Sequence, residues 1–203
     1  MKKTRYWKLT ISLALFLGLM VLATNVNFVE AKKDDSIITI DALVDTYSDL
    51  ETLEKDTPVI VQAIFTGDRT SVPMDLKEGR LFRTESVVEI KKVIKGELEK
   101  KDKIVVYEPG ILRDDNTYVN IAGYNLMNEK GKYTLFLTPV KNKEGYAIIG
   151  LYQGKYDNTI AGNGSKSKRI SEKEDLIDVD LFGENEQHFN ELKEQVMKKY
   201  KWE

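Results

Sequence analysis

The 203-residue chain contains no cysteine. That absence excludes a lipid-carrying cysteine, a disulfide framework, a thiol nucleophile and every thiolate metal site. Histidine is almost absent as well. The only one, His188, leaves a Ser-His-Asp arrangement or a histidine zinc site with a single candidate member, and its place between Gln187 and Phe189 on the polar side of a helical pattern reads as a solvated surface residue. A long uninterrupted apolar run is missing too. Residues 9–23 carry no charge, but Thr24, Asn25 and Asn27 interrupt the stretch before it reaches the roughly 20 residues that a membrane span needs.

The first 31 residues have the order of a signal peptide instead: a basic part with Lys2, Lys3, Arg5 and Lys8, an apolar part, and Val29-Glu30-Ala31 at the expected cut. Cleavage is expected between Ala31 and Lys32. The competing reading keeps the segment as an uncleaved anchor. These residues hold four of the 31 basic and one of the 33 acidic side chains, which leaves 27 against 32, a formal balance of −5 over residues 32–203. The charges are interspersed rather than clustered, so nucleic-acid binding through phosphate neutralisation is not expected. Contact with a membrane is expected only through the N-terminal segment before cleavage.

Residues 32–47 form a charged stub followed by Ser36-Ile37-Ile38-Thr39-Ile40, either a short strand or an ordered tether. Ser48 and Glu51 fit a capping box, so a helix is expected over residues 49–55, ended by Pro58. Residues 59–66 are apolar in both phases, as in a strand buried on both faces. A polar loop is expected at 67–80. A long strand over 81–94 follows, whose slip of phase at Lys91-Lys92 suggests a β-bulge. Further strands are expected at 103–108, 118–122, 132–138 and 146–152, with a loop poor in apolar residues within 157–184. Phe189, Leu192, Val196 and Tyr200 make one helical stripe over 185–203. The whole predicts a mainly β domain: a small antiparallel OB-like barrel over 48–156, a short leading helix, and a C-terminal amphipathic helix docked outside.

The order of motifs Val59-Ile60-Val61-Gln62-Ala63, Val93-Ile94-Lys95-Gly96, Gly131-Lys132-Tyr133-Thr134-Leu135-Phe136-Leu137 and Gln153-Gly154 resembles exported bacterial proteins of unknown function. The resemblance implies a barrel similar to the netrin-like modules and the tissue inhibitors of metalloproteinases. It does not imply inhibition of that kind, which depends on an amino-terminal cysteine chelating the zinc.

No residue pattern supplies a catalytic constellation, and neither a cofactor nor a metal site is expected. Arg113-Asp114-Asp115-Asn116-Thr117 reads as a turn rather than a calcium loop, and Asp178 with Asp180 likewise. Aromatic residues recur in the expected strands. Tyr118 and Tyr124, flanking residues 120–123, are the pair to examine as a stacking surface. The expectation is therefore a non-enzymatic module, secreted or at the surface of a Gram-positive cell, whose partner is a protein or a cell-envelope polymer. The alternatives are a metal-assisted hydrolase using carboxylates such as Asp114 and Asp115, and a structural envelope protein held by its N-terminal anchor.

Overall fold

The computed structural model describes residues 37–42, 46–76, 79–114, 117–160 and 179–202. In chain order the elements are β1 (Ile37–Ile40), α1 (Leu50–Asp56), β2 (Val59–Leu76), β3 (Gly79–Lys95), β4 (Lys103–Glu108), β5 (Gly110–Leu112), β6 (Tyr118–Ile121), β7 (Tyr133–Pro139), β8 (Tyr146–Ile148), β9 (Lys155–Asp157) and α2 (Glu186–Lys199). The described residues all belong to one compact unit. The expected cleavage site at Ala31 and Lys32 lies outside the described residues. Among those residues no helix is long and apolar enough to cross a membrane.

Closure of the sheet depends on the first half of β2, which is apolar in both phases. Val59, Ile60, Val61, Ala63 and Phe65 are all buried. This stretch pairs antiparallel with β3 on one edge and with β7 on the other. The strands run β2-β3-β4-β8-β7 and return to β2, a closed five-strand barrel, with β9 added beside β7. The mainly β barrel with two helices that the periodicity predicts is the fold observed. Its one parallel junction in the ring is the short β4–β8 pair, Val106 with Tyr146 and Tyr107 with Ala147.

Two bulges bend β3 around the barrel. Ile60 opposes Lys95 while Val61 opposes Val93, and Gln62 opposes Lys92 while Ala63 opposes Ile90, so Ile94 and Lys91 are the extra residues. The expected slip at Lys91-Lys92 is thus a real bulge, and extra residues of this kind increase local twist.

Three local expectations are corrected. Residues 69–76 are strand, not loop: they pair with residues 79–86 as a hairpin arm. Val72, Met74 and Leu76 carry the alternation, and Pro73 obscured it because proline usually argues against a strand. The cap of α1 is Asp49, not Ser48. Its carboxylate accepts from Thr52 N at 2.9 Å, and Ser48 Oγ donates to it at 3.0 Å; an ionised acceptor makes the stronger bond to an orphan amide. Finally, β8 stops at Ile148, and Leu151–Gly154 form a 3-10 turn. Buried Gln153 makes that turn, donating to Gly150 O at 3.1 Å and accepting from Tyr47 N at 2.8 Å. Gly154 follows because a Cβ there would sit 2.5 Å from Ile149 O. Gly131 is needed for a similar reason, since its Cβ would meet the Tyr133 hydroxyl at 2.0 Å.

Residues 37–40 are a strand. β1 pairs in parallel with β6, and β5 pairs with the other edge of β6, giving a second, three-stranded sheet.

Helix α2 buries Phe189, Leu192 and Val196 in the same core as Val61, Leu135 and Phe136. The Phe189 ring stacks on Tyr156 at 5.2 Å, and Tyr200 meets Phe136 edge-on at 6.2 Å. The helix also holds α1: Gln195 Oε1 accepts from Leu50 N at 3.1 Å, and Lys199 Nζ lies 2.6 Å from Glu54. Leu192→Ala, a large-to-small change at a fully buried position, is expected to cost about 2–5 kcal/mol, read as a lower urea midpoint. An unchanged midpoint would show that α2 does not stabilise the barrel.

Candidate functional site

Tyr118 and Tyr124 do not form an exposed stacking pair. Both are buried, Tyr118 to 3 % and Tyr124 to 0 % exposure. The Tyr118 hydroxyl donates to Tyr124 O at 2.9 Å and accepts from Leu126 N at 3.0 Å, while the Tyr124 hydroxyl donates to Glu108 Oε2 at 2.8 Å. Burial first, and the Glu108 charge next, push the Tyr124 phenol well above its ordinary range. Asn120 between them ties the loop together, accepting from Gly123 N at 3.0 Å and donating to Ile38 O at 3.2 Å. The two rings are core residues with satisfied polar tips.

The other candidates disperse. Asp114 lies exposed in a turn, and Asp115 and Asp178 fall outside the described residues. Among the described residues no group of three or more histidine or acidic side chains is placed to hold a metal. His188 is half-buried rather than solvated. Its Nε2 is 2.8 Å from Tyr47 O and its Nδ1 3.4 Å from the Tyr152 hydroxyl, so it joins α2 to the segment leading into α1.

Asp180 is the candidate whose surroundings the sequence concealed. Lys155 Nζ lies 2.5 Å from its Oδ1 and Lys193 Nζ 3.1 Å from its Oδ2, with all three side chains 2–3 % exposed. Asp157 N donates to Oδ2 at 2.6 Å. Burial alone would raise this carboxyl, but the two ammonium groups and these hydrogen bonds outweigh it and hold it below the ordinary aspartate range. The Lys155 ammonium also faces the rings of Tyr124 at 5.2 Å and Tyr133 at 5.4 Å. Glu108, on the far side of Tyr124, is a second buried carboxylate. It accepts from Met127 N at 2.8 Å, from Ser86 Oγ, and from Arg69 at 3.2 Å. Both carboxylates are paired and closed to solvent, which suits them to hold structure rather than to meet a substrate.

The open site is a groove of about 810 Å³ over the bulged part of the barrel. Ile64 of β2, Val93 of β3 and Leu98 in the β3–β4 connection give it an apolar floor. Lys91 and Lys92 both line it, because at a bulge two successive residues oppose a single partner and strict alternation is lost. Lys91 is held by Glu89 at 2.5 Å. Lys100 and Lys132 stand on the remaining rim with Glu99. Lys92, Lys100 and Lys132 have no carboxylate partner among the described residues.

Trp202 forms the wall, and Gln62 puts it there. The buried Gln62 side chain donates to Tyr200 O at 3.1 Å and Lys201 O at 3.3 Å, which draws the segment after α2 across β2. Lys132 Nζ lies 5.8 Å from the Trp202 ring centre. The indole Nε1 is the one buried side-chain polar atom among the described residues without a hydrogen-bond partner. Compared with known proteins, the chain matches no family model, and no curated protein matches it.

The buried triad generates a pH dependence. A carboxyl whose folded pKa is lowered contributes stability that is present above its unfolded pKa, about 3.9, and lost as the pH falls through the folded value. Stability is therefore expected to fall on acidification below about pH 4. Asp180→Asn, which strands two buried ammonium groups, is expected to cost about 3–5 kcal/mol at pH 7, whereas Lys193→Met, which leaves Lys155 paired, costs clearly less. Urea unfolding of both variants checks this. Equal losses would mean that the pairing itself is unimportant.

Proposed function

We propose that this chain is a non-enzymatic binding module, exported and working outside the membrane or on the cell surface, with the lysine-rimmed groove as its binding site. The observation that carries the reading is the groove's composition: three lysines outside any ion pair, against the single carboxylate Glu99, stand around an apolar floor beside an indole ring. Elsewhere among the described residues the buried carboxylates of Glu108 and Asp180 are neutralised at short range. Residues 32–203 have a formal balance of −5, so a local excess of positive charge focuses attraction for an anionic partner at one place.

The strand order supports an OB-type barrel, in which the first strand pairs with the second and the fourth, and the third with the fifth. Such barrels bind extended polymers across an open face. The resemblance to exported bacterial proteins with netrin-like barrels agrees with that reading. The motif glycines and Gln153 are taken up by turns and close backbone contacts, while Gln62, Val93 and Lys132 of the same motifs line the groove. Export follows from the basic, apolar and small-residue order of residues 1–31, and the partner is then a component of the cell envelope.

The test is co-sedimentation with purified Gram-positive sacculi at low ionic strength. The protein is expected to pellet with them, and the double charge reversal Lys92→Glu, Lys132→Glu to remain at least tenfold more in the supernatant while unfolding at the same urea midpoint. A protein that ignores the sacculi, or a double variant that binds them equally well, would remove the groove from this role.

A further inference from the structure

We infer that the groove takes a phosphodiester-linked polyol chain, with phosphates against Lys92, Lys100 and Lys132 and a polyol unit against Trp202. This deepens the binding-module reading and rests on it.

Four observations select that chemistry. The free cations of the groove are all lysines. A lysine ammonium is a compact point charge that meets a phosphate oxygen from any direction. The cations are also divided among separate elements, β3, the β3–β4 connection and the residue before β7. That distribution over separate elements suits charges repeated along a chain rather than one anionic head group.

The floor between the lysines is apolar, with Ile64, Val93 and Leu98, which fits the carbon backbone between successive phosphates. An acidic peptide is the competing occupant, and binding by strand addition, the mode that would engage its backbone, needs a free sheet edge. The β3–β4 ladder ends at Glu89, and beyond it β3 is broken by the bulges at Lys91 and Ile94. Bulges and lysines of this kind are what blunt an edge against strand addition.

Trp202 supplies the last part. Its ring already lies beside the Lys132 ammonium at 5.8 Å, so a cation and an apolar plane stand together at one end of the groove. Its Nε1–H is buried without a partner, a donor still open to a phosphate or hydroxyl oxygen. A buried donor left unpaired is unfavourable, and a bound acceptor would relieve that cost.

Trp7 and Trp202 are the only tryptophans, so the full chain carrying Trp7→Phe, in a non-ionic detergent, reports on the groove through one fluorophore. Titration with poly(glycerol phosphate) is expected to change the Trp202 emission saturably. With three lysines engaged, the logarithm of affinity should fall with the logarithm of salt at a slope of about −2, by analogy with single-stranded polyphosphates at about −0.7 per contact. Lys132→Gln is expected to weaken binding about tenfold and reduce the slope by about 0.7. Poly-L-glutamate and oligothymidylate of equal charge are expected to bind at least tenfold more weakly. Equal or tighter binding of either, or an emission indifferent to the phosphate polymer, would overturn the inference. Sacculi stripped of phosphodiester polymers with hydrofluoric acid separate the two levels of the argument. Loss of binding on stripping supports the inference, and undiminished binding contradicts it while leaving the module reading intact. Failure to bind even untreated sacculi removes the reading itself.

Discussion

Asp180 sits between two buried ammonium groups, and the position of nearly everything C-terminal to the barrel depends on that arrangement. Lys155 comes from β9, Lys193 from α2 and Asp180 from the segment between them. None of the three could be buried alone, because an isolated charge in the core costs several kcal/mol. Together they are neutralised at 2.5 and 3.1 Å, and aromatic faces shield them. The triad thereby forces α2 to dock with its Phe189 stripe inward and in one register. A purely apolar stripe would tolerate rotation or sliding of the helix. A fixed ion pair does not.

The groove inherits its geometry from this contact. Once α2 is placed, its C-terminal segment crosses β2, where Gln62 captures two of its carbonyls and brings Trp202 to the wall. Beside that indole, Lys132 is fixed by β9 and the residue after it: Asn158 N donates to Lys132 O at 2.7 Å, and Asp157 Oδ1 accepts from Lys132 N at 3.2 Å. The same strand therefore carries a triad lysine and positions a rim lysine. The remaining rim comes from the β3 bulges, which the barrel requires for closure. A surface that recognises a ligand thus arises at little extra cost from features that close and lock the fold.

Much of the barrel was legible in the sequence because hydrophobic phase dictates it. The doubly apolar run at 59–65 could only be a strand with both faces covered, and the broken phase at Lys91-Lys92 marked a bulge. The stripe of Phe189, Leu192 and Val196 likewise marked the buried side of α2. What stayed hidden was chiefly long-range polar pairing. Lys193 looks like any solvated helix lysine, and Lys155 and Asp180 are separated by 25 residues, with nothing in composition to link them. Tyr118 and Tyr124 misled for a related reason, since alternation does not say which side of a strand holds the core once polar tips find buried partners such as Glu108. The groove was missed because its lysines are scattered over residues 91–132 and its wall is Trp202, so only the fold assembles them.

The central claim is that the triad makes α2 and the barrel one cooperative unit. Native-state amide exchange tests it most directly, by comparing the α2 amides of Leu192 and Val196 with the barrel amides of Val61 and Leu135 as urea is raised. Cooperative coupling gives all four the same opening free energy, equal to that of global unfolding. Helix amides that exchange through a separate opening, several kcal/mol easier than that of the barrel, would contradict the account.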